Sequence, residues 1–115
     1  MSWVNEMKFY TNASDLTVDS ITSIKQALRD NPTESEARKL NGQLVELQLK
    51  KTLLDERLSA IVGSRNSIRP PSADELERVK NLTHLVEAQT NSATMVSDSI
   101  TLAGKVVDFI TEVSA

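Results

Sequence analysis

The residue types that carry chemistry are present in this chain, but their spacing does not assemble a reaction centre. There is one histidine, His84, with Glu87 three residues on. A helix would put the two on one face, but a metal site needs three or four ligands, and neither a cysteine nor a second histidine is available to complete it. Glu56, Glu75 and Glu77 lie in charged, helix-forming stretches where solvation explains them, and no desolvated carboxylate pair for acid–base work is evident. The three glycines are isolated and form no phosphate loop. None of the serines sits in a nucleophile elbow. The expectation is a non-enzymatic protein without cofactor, metal or small-molecule substrate.

Arg57, Arg65 and Arg69 fall in a run without an acid between Glu56 and Asp74. Together they form a candidate anion-contacting loop. They lack interleaved aromatics, and the chain carries 16 acidic against 13 basic residues. Both features disfavour a dedicated nucleic-acid binder.

The pattern around these residues is helical. Thr33-Glu34-Ser35-Glu36 and Ser72-Ala73-Asp74-Glu75 each read as a capping box just behind a proline, Pro32 or Pro71. From Val79 a single position recurs at spacings of three and four: Leu82, Val86, Gln89, Ala93, Val96, Ile100, Ala103, Val107 and Ile110. Left unbroken, that helix would be about 60 Å long at ~1.5 Å per residue. A second seam runs through Ala37, Leu40, Leu44, Leu47, Lys51, Leu54, Leu58 and Ile61. Thr17, Ile21, Ile24 and Leu28 make a third, shorter stripe.

The expected fold is therefore all-α, a single domain over residues 1–115. Its helices are predicted at about 14–30, 33–62 and 73–114. They form an antiparallel three-helix bundle dominated by a long hairpin of the second and third helices. Gly63 is the expected left-handed stop of the second helix. Residues 1–12 are expected to be irregular or a short turn, with Trp3, Met7, Phe9 and Tyr10 seeking cover. Lys51 and Gln89 break their seams as polar residues, and an antiparallel hairpin brings them to similar levels.

Two apolar faces are left over. Val106, Phe109, Ile110 and Val113 share one broad face beyond Gly104, where a glycine costs a helix about 1 kcal/mol and permits a bend. That segment either projects as a partner-binding patch or folds back under the first helix. Val45, Leu49 and Leu53 form a second line on the far side of the second helix from its seam.

These faces point to a non-catalytic helical protein that associates with a protein partner or with itself. A different class of reading is a small exported helical protein of a bacterial secretion system, component or effector. The likeness to hairpin proteins of such systems is in size and shape alone. The turn here reads Val62-Gly63-Ser64-Arg65 and lacks a Trp-x-Gly. A third reading is a weak nucleic-acid accessory protein using the arginine loop. The N-terminus shows no basic region followed by an apolar run, and no stretch approaches the ~20 apolar residues of a membrane helix. The cytoplasm is the default expectation, with signal-independent export left open.

Overall fold

Helix formation starts much earlier than residue 14. Glu6, Phe9, Tyr10, Ala13, Leu16, Thr17, Ser20, Ile24 and Ala27 recur at spacings of about three and four, and all of them are buried. One continuous helix is what allows a single face to bury them all. The computed structural model describes residues 2–92 and 94–115. Ala93, one position of the expected seam, lies outside them.

The described residues form four helices: α1 (Ser2–Arg29), α2 (Glu34–Ser64), α3 (Ala73–Thr90) and α4 (Val96–Val113). The all-α class stands, and the three-helix count is corrected to four. Both capping boxes form with their two reciprocal bonds, Thr33 with Glu36 and Ser72 with Glu75. The predicted third helix is instead two, broken between Thr90 and Val96 rather than bent at Gly104. The break falls in the Ser/Thr/Asn-rich stretch. There Thr94 Oγ1 donates to the Gln89 carbonyl at 3.3 Å, so a hydroxyl competes for a group the helix would use.

Breaking there lets α4 reverse beside α3, as the Arg78–Glu112 ion pair shows. The chain runs up, down, up, down. Tyr10 donates to the Val113 carbonyl, and Phe9 meets Phe109 edge to face at 6.4 Å. α1 is therefore antiparallel to α4. Gln43 donates to the Ile100 carbonyl and Arg57 to that of Ser114, both across 57 residues, so α2 and α4 run parallel.

The expected hairpin of the second and third helices does not form. Among the described residues α2 and α3 do not touch, and they lie across the diagonal of the bundle. The connection is long enough for this. Residues 65–72 can reach about 25 Å at ~3.3 Å per residue, against a diagonal of about 14 Å for helices about 10 Å apart. α2 instead buries Leu40, Leu47, Leu54 and Ile61 against α1 and α4.

The crossing segment passes beneath the first turns of α1. Fully buried Glu6 accepts hydrogen bonds from the Ile68 and Arg69 N–H groups. α2 also continues through Gly63, and the left-handed residue is Arg65 (φ 54°), whose N–H reaches the Ile61 carbonyl.

Candidate interaction surface

The α2 seam faces α1 and α4, while among the described residues no helix covers the opposite line. Val45, Leu49 and Leu53, on successive turns, are 56%, 60% and 43% exposed. The other exposed aliphatics, such as Val18, Ile68, Leu76 and Leu85, do not form a comparable run along one helix. Single exposed apolar residues are ordinary; a line of three on one helix is the informative feature. Arg38 stands at one end of this line and pairs with Glu34 at 2.6 Å, with both side chains well exposed. Exposed Glu56 stands at the other end and has no ion-pair partner among the described residues.

The C-terminal candidates are placed differently. Val106, Phe109, Ile110 and Val113 are fully buried, packed in one core with Phe9, Tyr10 and the α2 seam. The projecting patch is thus corrected to core. Reversal at the α3–α4 break brings the segment against α1, and Gly104 is an ordinary helical position facing Gln43.

The three arginines do not converge on a free anion site. Arg57 lies over the Tyr10 ring at 5.7 Å and donates to the carbonyls of Ser114 and Ala115 at the end of α4. A cation there suits the negative end of the helix dipole. Arg69 donates to Glu75 at 3.0 Å and to the Tyr10 hydroxyl. Burial pushes the Glu75 carboxyl up, but bonds from Ser72 and Arg69 outweigh it and hold the group below the usual carboxylate range. Arg65 alone is exposed, at the left-handed end of α2. Two of the three arginines act instead as a clasp: Arg69 ties the crossing segment to α1 and α3, and Arg57 ties α2 to α1 and the end of α4.

This clasp escaped the sequence reading. The signal was Glu6, an acid lying on the apolar helical face that carries Phe9 and Tyr10. The polar seam residues also find separate partners. Lys51 pairs with Asp55 at 2.6 Å, and Gln89 accepts from Ser23, so the two do not meet. The Lys51 hydrogen bond, seconded by Ser14, holds the Asp55 carboxyl below its ordinary value.

A groove of about 480 Å³ separates α1 from α3, lined by Asp15, Asp19, Leu76, Lys80, His84 and Glu87 among others. His84 and Glu87 do share it, but no cluster suited to a metal ion occurs among the described residues. Partial burial pushes the Asp19 carboxyl up, helped by the negative charges of Asp15 and Glu87. A raised folded-state value means that folding penalises the charge. The penalty is full above that value and vanishes as pH falls through the unfolded one. Asp19→Asn is therefore expected to raise the melting temperature at pH 7. The gain should disappear near pH 3, which thermal melts across that range will check.

Comparison with known proteins returns no matching family, no similar curated protein and no similar solved structure. Among the described residues no helix is long and apolar enough to cross a membrane.

Proposed function

We propose that this chain is a non-catalytic helical interaction protein and that its contact surface is the outer face of α2. The observation that carries this reading is the uncovered line Val45–Leu49–Leu53 on the longest helix, each residue more than two-fifths exposed. Closing such a line against another apolar surface gains about 25 cal/mol per Å² removed from water. The other apolar faces already spend their area inside the bundle, and the loop arginines are held mainly by internal partners.

The test is site-specific photocrosslinking in the native host. A benzoylphenylalanine at position 49 is expected to form discrete adducts, whereas one at position 25, an exposed site on α1, forms none above background. Leu49→Asp should keep the helical circular dichroism and shift the melting temperature by no more than about 2 °C, since surface changes fall within about 0.5 kcal/mol. Equal labelling at positions 49 and 25 would refute the reading.

A further inference from the structure

We infer that the partner of the α2 face is a second copy of this chain, paired antiparallel about a two-fold axis at the level of Leu47. This rests on the α2-face reading and names its occupant. At ~3.6 residues per turn, Arg38, Val45, Leu49 and Glu56 lie within a narrow arc of one face. Arg38 and Glu56 are five turns apart, so they share one angular position.

The stripe is also symmetric about position 47. Val45 and Leu49 stand two residues either side of it, and Arg38 and Glu56 nine residues either side. Reversing one copy against the other therefore sets Val45 on Leu49 of the second copy and Arg38 on its Glu56, each contact occurring twice. That is the self-complementarity an isologous interface requires. The same operation sets Gly42 opposite Thr52, and the space above Gly42 is open, so the backbones can come close there.

Parallel pairing in register would instead stack Arg38 on Arg38 and Glu56 on Glu56, and like charges across an interface are repulsive. Glu56 has no ion-pair partner within its own chain among the described residues, and Arg38 has only the exposed Glu34. The contact is small by the standards of stable dimers, so association is weak, with Kd in the range of about 10–100 µM.

Light scattering from about 1 to 500 µM should show the 12.7 kDa mass doubling as concentration rises. Arg38→Glu alone and Glu56→Arg alone should each weaken the dimer at least ~10-fold, and the double swap should return it to within ~3-fold of wild type. Both positions of change are on the surface, and circular dichroism of all three variants will verify the fold. The chain has no cysteine, so single spin labels can be placed cleanly. Labels at Asn41→Cys and Ser59→Cys should give inter-chain distances of about 20 Å and about 40 Å in the antiparallel pair. A parallel pair gives one short distance at both.

A monomer at every concentration, equal distances at the two sites, or a dimer indifferent to both charge reversals would overturn the proposal. Photocrosslinks from position 49 separate its failure from that of the reading beneath it. Adducts to another protein together with a monomeric chain would leave the α2 face an interface and remove self-pairing. Absence of any adduct would remove both.

Discussion

Replacing Phe109 with alanine is expected to cost about 3–5 kcal/mol, the usual range for emptying a buried aromatic site. The ring is fully buried, stands edge-on to Phe9 at 6.4 Å, and has the Arg78 guanidinium 4.9 Å from its centre. A domain of this size holds about 5–15 kcal/mol in total. The loss should lower the melting temperature by about 15 °C and bring forward the urea midpoint without changing the slope much. Leu49→Ala supplies the contrast. Its side chain is 60% exposed, so stability should change by no more than about 0.5 kcal/mol. Paired melts of the two variants separate core from candidate interface directly. A Phe109→Ala protein as stable as wild type would restore the C-terminal segment as a surface.

Glu6→Ala is expected to cost about 2–4 kcal/mol, because it leaves donors in a part-buried segment without an acceptor, and bonds to a charged group are the costlier ones to lose. Both oxygens are used, Oε2 by the Ile68 N–H at 3.0 Å and Oε1 by the Arg69 N–H. The segment they hold carries Arg69 toward Tyr10 and Glu75, so its release should loosen those contacts as well. Amide exchange is the sharpest readout. Protection of Ile68 and Arg69 should fall by more than that of Leu47 or Leu54 in the α2 core. Glu6→Gln keeps one acceptor oxygen and should lose less. If exchange at 68 and 69 matched wild type in the alanine variant, the carboxylate would not be what anchors the crossing.

The parts legible in the sequence are the local ones. The Thr33–Glu36 and Ser72–Glu75 boxes link residues three apart, so their chemistry was complete without knowledge of any other helix. The α2 seam was legible for the same reason. A repeat of three and four selects one face, and Leu40, Leu47, Leu54 and Ile61 on it are all fully buried. The outer line Val45–Leu49–Leu53 was visible as its opposite.

Tertiary structure decided what each face meets. The pattern from Val79 to Ile110 suits one long helix or two short ones equally well. The second arrangement wins because reversal near Ser92 brings Val106, Phe109, Ile110 and Val113 onto Phe9 and Tyr10, where one projecting helix would leave them in water. The pairing of α2 with α4 and the engagement of Arg57 by the end of α4 follow from that reversal, and the crossing under Glu6, with Arg69 held by Tyr10 and Glu75, is likewise settled by packing. Periodicity states which side of a helix needs cover; only the packed bundle states which residues, tens of positions away, supply it.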